Sequence, residues 1–325
     1  MRIALIGDAV LPTPHPAGHG LGRMVYQIGV GLLERGHDVT LFAREGSHFP
    51  GMCVTPPDAQ GYQGEVALAR EAMRLHRQRP FDVFFDHSHI HKLSDIFVDV
   101  PVVNVFHDVY QQYARCPVLL SEGQRALMPA AFEGARIIPN ALNPDDFEAS
   151  ERPDTPPYAL FVGAIADLKQ PILAIEACAR MGLKLVIAGL PVGGNLPFSD
   201  ASNVEYVGPV NAATRNRLMR GARVFLQLGA YESFGLTTLE AMLCGCPVVA
   251  WPAGGSLDLV RYGVNGVFVP LLGSDMVANV VDAIERAWDM DRRIVRLYAE
   301  KLTSVDAQLD AYEAALVDCV RGNWW

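Results

Sequence analysis

Short β-branched runs alternate with helical stretches along this chain, and the alternation starts twice. In the first half, strands are predicted at Arg2–Gly7, Asp38–Ala43, Val83–Phe85, Val102–Phe106 and Arg136–Ile138, with a helix from about Gly22 to Arg35 ended by Gly36. Residues 149–157, ASERPDTPP, then hold three prolines and three charges and can continue neither a helix nor a central strand. Beyond this break, strands are predicted at Ala159–Gly163, Lys184–Ala188, Val204–Val207, Val224–Leu228, Pro247–Ala250 and Gly266–Val269. Helices are predicted at Pro171–Met181, 211–221 and Leu236–Leu243, and amphipathic helices over roughly 275–320. Short apolar strands alternating with helices require parallel sheets covered on both faces. The expected fold class is therefore α/β, two doubly wound Rossmann-like lobes facing a central cleft. The expected division is 1–150 and 151–304, with a C-terminal helix over about 305–325 completing the first lobe. A length of 325 residues suits two such cores better than one.

Composition narrows the function classes. Half the chain is hydrophobic and 19% is charged, which excludes a disordered chain. The net charge of −9, with neither half basic, weighs against a general nucleic-acid binder, whose phosphate contacts need clustered Lys and Arg. Six scattered cysteines without a paired CxxC framework read as reduced thiols of a cytoplasmic protein. No apolar run reaches the ~18 residues that span a bilayer. The opening MRIALIGDAV, interrupted by Asp8, reads as a buried first strand rather than a signal peptide. Nothing in the sequence speaks to oligomeric state.

In open α/β sheets, ligands bind beyond the carboxyl ends of the strands where strand order reverses. Three segments after strands therefore matter. Gly18-His19-Gly20-Leu21-Gly22-Arg23 opens a helix, where glycines let backbone N–H groups approach an anion. Residues 161–169, FVGAIADLK, bring Gly163 and place Lys169 near a helix start, within reach of a phosphate. Residues 231–249 carry Glu232, Gly235 and Glu240, and the amides of Gly235, Leu236 and Thr237 are suited to a diphosphate nest. A carboxylate such as Glu240 accepts hydrogen bonds from paired hydroxyls of a sugar or ribose.

Glu232-x7-Glu240, within ESFGLTTLEAMLCGCPVVA, resembles the signature of family 4 retaining glycosyltransferases of the GT-B fold. HGLGRMVYQIGVGLLERGHDVTLFA, FDVFFDHSHIH, VPVVNVFHDVY, IIPNALNPDDF and GGSLDLVRYGVNGVFV are similar to the family's other segments, in its order. The resemblance implies a retaining, metal-independent transfer of a hexose from a nucleotide-diphosphate sugar, with a UDP-sugar the favoured donor, to an acceptor hydroxyl on a small molecule or glycan. It implies no cofactor. Glu232 would contact the transferred sugar beside Ser233 and Phe234, and Glu240 would hold the ribose. Lys169 and the amides around Gly235 would stabilise the diphosphate, approached by Gly20, Gly22 and Gly163. His107 would line the sugar pocket, and Val207, in the loop Tyr206–Val210, would flank the base. The implied catalytic residues are His107, Lys169 and Glu232.

Two positions depart from the family pattern. Ala164 stands where an arginine usually assists the lysine, and His19 where a glycine is usual. Losing one charge-assisted contact costs about 1.5–3 kcal/mol of leaving-group stabilisation. Arg23, Lys92 and Arg115 are the cations that stand as candidates to replace it. The departures keep open a non-catalytic nucleotide-sugar binder, against which Glu232, Glu240 and Lys169 argue. The same transfer onto a hydroxylated nucleic-acid base or a lipid head group is a further alternative, with nucleic acid disfavoured by charge.

Other features have simpler readings. His87, His89 and His91 alternate, and share a face if their strand continues. Three imidazoles can bind zinc, but an acceptor-side or packing role is favoured and no metal is expected. Arg70, Arg74, Arg77 and Arg79 read as a solvated helix face. Trp324 and Trp325 either pack across the hinge or mark a contact.

Overall fold

The structure, a computed structural model, describes residues 1–15, 20–91, 93, 100–109, 114–194, 196 and 201–325, with Tyr62 described by its backbone alone. It comprises two compact units, residues 1–140 with 305–325, and residues 141–304.

Among its described residues the first unit holds seven strands: β1 (Arg2–Ile6), β2 (Asp38–Phe42), β3 (Met52–Val54), β4 (Val83–Asp86), β5 (Val102–Val105), β6 (Cys116–Leu119) and β7 (Arg136–Ile137). All pair in parallel, in the order β3-β2-β1-β4-β5-β6-β7, so the order reverses between β1 and β4. Two strands escaped the sequence reading. Both β3, only three residues long and partly exposed, and β6, which contains Pro117, lack a clean β-branched run. Helix α1 (Gly20–Glu34) buries Leu21, Met24, Val25, Ile28 and Leu32, the i, i+3, i+4, i+7 stripe of a helix lying on a sheet. Helices α2 (Gly61–Gln78) and α3 (Glu122–Leu127) follow, the latter capped by the Ser121 side chain accepting from the Gln124 N–H.

The second unit restarts with β8 (Tyr158–Val162), α4 (Pro171–Arg180), β9 (Lys184–Ala188), β10 (Val204–Gly208), α5 (Ala212–Gly221) and β11 (Val224–Gln227). It continues through α6 (Leu236–Leu243), β12 (Val248–Ala250), α7 (Ser256–Leu259), β13 (Gly266–Phe268), α8 (Met276–Ala287) and α9 (Arg292–Lys301). Its sheet is again parallel, in the order β10-β9-β8-β11-β12-β13, reversing between β8 and β11. Leu185, Ile187, Leu226, Val249 and Val267 lie in one buried cluster with Ala174, Cys178, Val280 and Ile284 from α4 and α8. The final helix, α10 (Val305–Val320), belongs to the first unit.

The units divide at residues 140/141, ten residues before the expected boundary. The reason is local. The Arg296 guanidinium donates to the carbonyls of Pro144, Phe147 and Leu243, and the Thr303 hydroxyl exchanges hydrogen bonds with the backbone of Leu142. Arg292 likewise binds the Ser150 carbonyl at 2.7 Å. These bonds commit residues 141–150 to the second unit, although the segment's only regular element is a 3-10 turn at Pro144–Asp146.

Candidate active site

The second sheet reverses between β8 and β11, and the segments leaving those two strands carry the predicted donor-binding residues. After β8 the chain passes Gly163, at φ +151, and exposed Ala164, then makes a 3-10 turn over Asp167–Lys169. Gln170 adopts the left-handed conformation at φ +53, and Pro171 opens α4. Lys169 therefore ends a turn just before the helix, as its sequence position suggested. After β11 comes the loop to α6, ended by Gly235 at φ +100, a conformation that favours glycine. Gly235 offers no side chain to cap α6, so the first amides of that helix have no side-chain acceptor at its N-cap.

The two segments meet through side chains. Lys169 Nζ lies 2.5 Å from Glu232 Oε2, and Gln227 Nε2 donates to the same oxygen at 2.6 Å. Gln170 Nε2 donates to the Leu228 carbonyl at 3.1 Å, tying the turn to the end of β11. Gly229 leaves room for the lysine: a Cβ there would stand 2.9 Å from Lys169 Cδ. Behind the loop, the Gly255 N–H donates to the Glu232 carbonyl, and Cβ atoms at Gly254 and Gly255 would come within 2.2 Å of Glu232 O and 2.3 Å of Phe234 O. The Gly254-Gly255 pair thus lets a second backbone press against the loop that presents Glu232. Ser233 and Phe234 are buried, and Leu236 and Thr237, at the start of α6, are partly exposed.

Glu240 lies in the middle of α6 and is 1% exposed. Its Oε2 stands 3.1 Å from Nε of Arg215, which reaches over from α5 and is itself buried. Val207, placed by the sequence both at the end of the strand Val204–Val207 and in the loop Tyr206–Val210, belongs to β10, at the point where the register with β9 slips between Tyr206 and Gly208. A residue added on one strand makes such an irregularity and keeps the ladder going past it, which is why VEYVG extends beyond the predicted end.

In the first unit, His107 follows β5 and its Nε2 lies 2.9 Å from Nδ1 of His87, just past β4. His87 is fully buried, between Phe85 and Tyr312 of α10, and burial pushes its imidazole down to about 3, so it stays neutral. Gly20 and Gly22 begin α1, and a Cβ at Gly22 would approach the Pro12 carbonyl at 3.3 Å. Gly18, His19 and Lys92 lie outside the described residues. Of the other candidate cations, Arg115 stacks on the Trp324 ring at 4.7 Å.

The three alternating histidines do not share a face. Strand β4 ends at Asp86, and His91 is left-handed at φ +43, so the side chains diverge. His87 meets His107, His91 approaches Asp86 at 3.7 Å, and His89 Nδ1 lies 2.9 Å from Glu65 of α2. Asp8, Glu65 and His89 bring three potential ligand atoms within 4.8 Å of one another. Their polar capacity is already engaged: Asp8 accepts from the Val10 and Leu11 amides, and Glu65 from the His89 and Ile90 amides. The basic face of α2 meets acids, with Arg74 on Glu71 and Arg79 on Asp38. Trp325 packs within the first unit, its Nε1 donating to the Pro117 carbonyl and its ring under Arg136.

Four participants escaped the sequence reading. Gln227 had a signal, a polar residue closing the buried run VFLQ. The Gly254-Gly255 pair was visible without its purpose. Arg215 stands among other helix arginines with nothing to single it out, and His87 was weighed as an acceptor-side, packing or metal-binding residue, without His107 as its partner.

Two parallel Rossmann-like units with these residues at their strand ends define a GT-B glycosyltransferase fold. The chain belongs to the family of glycosyl transferases group 1, matched over residues 143–300, with glycosyltransferase family 4 matched over residues 18–143. It is 32% identical, in an alignment of 403 positions with gaps included, to a D-inositol 3-phosphate glycosyltransferase of Geodermatophilus obscurus, covering 97% of this chain and 89% of that protein. It is 31% identical over 183 residues to the protein of the same name from Mycobacterium marinum, covering 50% of this chain but 39% of the relative. An uncharacterized glycosyltransferase of Methanocaldococcus jannaschii is 27% identical over 232 residues, covering 62% of this chain and 56% of its own length. The match thus spans 39% and 56% of the Mycobacterium and Methanocaldococcus relatives' length, against 89% of the Geodermatophilus relative's. Among solved structures, AviGT4, a glycosyltransferase involved in avilamycin A biosynthesis, superposes with a TM-score of 0.77 at 20% identity, covering 100% and 99% of the two chains. Anabaena HepE in complex with UDP and glucose does so at 0.72 and 17%, covering 98% and 100%.

Proposed function

We propose that the protein is a retaining glycosyltransferase that moves a hexose from a nucleotide-diphosphate sugar, a UDP-sugar in the first instance, to a hydroxyl of a small molecule or glycan. The observation that carries the reading is the convergence, at the reversal point of the second sheet, of Lys169, Glu232 and the N-terminus of α6 behind left-handed Gly235. A lysine and a row of helix-start amides suit a departing diphosphate, whose charge grows in the transition state. Glu232 accepts hydroxyls of the transferred sugar, Glu240 the ribose, and Val207 lies beside the base. We assign His107 to the sugar on the family resemblance. The acceptor oxygen attacks from the leaving-group face, and a diphosphate oxygen takes its proton, so the reaction needs neither a carboxylate nucleophile nor a metal. The polyol phosphate in the names of several relatives makes inositol phosphates the first acceptors to screen. Six cysteines without a disulfide fit a cytoplasmic setting, and no helix among the described residues is long and apolar enough to cross a membrane.

Thermal stabilisation against a panel of nucleotide sugars and free nucleoside diphosphates tests the reading, repeated with Glu240→Ala. A ligand at a hundred times its dissociation constant adds about 2.7 kcal/mol. One sugar nucleotide that raises Tm, less so in the variant, identifies the donor. No shift with any ligand refutes donor binding.

A further inference from the structure

Two donors converge on one oxygen of Glu232, and the protein holds them in different ways. Lys169 Nζ lies 2.5 Å from Oε2 and Gln227 Nε2 donates to it at 2.6 Å, while Oε1 accepts no hydrogen bond among the described residues. Lys169 ends a 3-10 turn, and its ammonium rides on a long, flexible stem that is 29% exposed. Gln227 is the last residue of β11, is paired with Ala250 in the sheet, and its carbonyl accepts from the Trp251 N–H at 2.8 Å. Its side chain is buried. The rest of β11, Val224, Phe225 and Leu226, is apolar, and an amide buried at the end of such a run is costly unless it finds a partner. Its partner is the Glu232 carboxylate, which a leucine or valine at the same place would leave to the lysine alone.

We propose that Gln227 is a positioning residue for Glu232, keeping Oε2 in place when a donor diphosphate draws Lys169 away, so that Oε1 stays turned to the hydroxyls of the transferred sugar. The inference rests on the donor reading above and adds to it a residue with a separable role. A diphosphate carries more negative charge than a carboxylate and competes with Glu232 for the ammonium. A glutamate side chain that loses its counter-charge has several torsions through which to turn away, and ordering it again costs free energy on binding. A neutral amide fixed on a strand does not follow the phosphate, so it holds the carboxylate through the exchange. Gln227 touches no part of the donor in this role. Its removal therefore weakens binding of the sugar and leaves affinity for the nucleoside diphosphate in place.

The test is calorimetric titration of the full chain with UDP, GDP and ADP, and with UDP-glucose, UDP-galactose, GDP-mannose and ADP-glucose. Gln227→Met, of similar length but unable to donate, is expected to bind the preferred sugar nucleotide about tenfold or more weaker than wild type. Its affinity for the matching free nucleoside diphosphate stays within about twofold, which separates positioning from general damage to the site. In a Glu232→Ala background the same substitution changes sugar-nucleotide affinity by less than about twofold, because its effect passes through the carboxylate. Gln227→Glu decides alone if the methionine variant does not fold. A charged carboxyl there repels Glu232 and a protonated one donates to it, so sugar-nucleotide affinity relative to wild type recovers as pH falls from 8 to 6. Unchanged sugar-nucleotide affinity in Gln227→Met overturns the assignment, as do equal losses for the free diphosphate, a full effect without Glu232, or no acid recovery in Gln227→Glu. Absence of any nucleoside diphosphate binding to the wild type instead overturns the donor reading on which the inference stands.

Discussion

Lys169 Nζ stands 2.5 Å from Glu232 Oε2, joining the segments that leave β8 and β11, the strands between which the second sheet reverses. The two residues are 63 positions apart in sequence. The lysine charge is directed at a carboxylate, and Gln227 donates to the same oxygen. The pair holds both groups together at the reversal of the sheet, where the proposed donor would need one hydroxyl acceptor and one cation.

Lys169→Ala is expected to lower kcat by about tenfold to more than a hundredfold, the worth of one charge-assisted contact to the leaving group. Lys169→Arg restores part of the rate. The side chain is 29% exposed, so Tm changes little. Steady-state kinetics with the donor found by thermal screening reads the effect, and an unchanged kcat would remove Lys169 from the mechanism.

Ala164 is exposed, directly after Gly163 at the end of β8, so a long side chain there meets no packed core. Ala164→Arg is expected to raise kcat by about tenfold or more, because it adds a second cation where the related enzymes' pattern has one. Initial rates at saturating donor decide this. No gain means that the charge is already supplied by another residue.

Gly255 and Gly263 separate two reasons for glycine. Gly255 has an ordinary φ of −59°, but a Cβ would lie 2.3 Å from the Phe234 carbonyl oxygen. Gly263 sits at φ +76 with nothing within 4 Å of a Cβ. Gly255→Ala is expected to cost about 1–3 kcal/mol or more through overpacking and to reduce donor affinity by shifting the Glu232 loop. Gly263→Ala costs about 1 kcal/mol through backbone strain and leaves donor affinity alone. Urea denaturation and donor titration measure the contrast.

Acid should weaken the first unit through His87. Its imidazole is held down at about 3, first by burial and then by His91, against the attraction of Asp86. In the unfolded chain it protonates near 6.5, so its contribution to stability is complete above pH 6.5 and is lost as pH falls from there towards 3. The loss is on the order of 1 kcal/mol per pH unit. His76, also lowered by burial, acts with the same sign. His89, raised in the folded state, is protonated in both states below pH 6.5 and adds no slope there. Stability of wild type and His87→Gln, measured at pH 7.0 and 5.5, should show the smaller acid loss in the variant. Equal losses would mean that His87 is not the neutral, buried partner of His107.

Much of the fold was legible because parallel strands buried on both faces are continuous apolar runs, and RIALI, YALFV and KLVIA can be little else. The strands missed, β3 and β6, are short, and one contains a proline, so local composition carried no strand signal. Within the site, Lys169, Glu232, Gly235 and Glu240 stood out by spacing and residue type. Arg215 did not, because its partner lies 25 residues along the chain on a different helix, and burial alone makes the pair consequential.

By itself, the sequence determined the two βα alternations, the places where they start, and the glycines and charged residues that follow the strands. Those follow from periodicity and from the conformational limits of single residues, which act over a few positions. Only the tertiary structure decided which unit residues 141–150 join, that three alternating histidines turn to three different partners, and that Glu240 stands beside Arg215. Each depends on desolvation and on contacts between segments distant along the chain. Such contacts have no period, and they come into being only when the sheets bring their strand ends together.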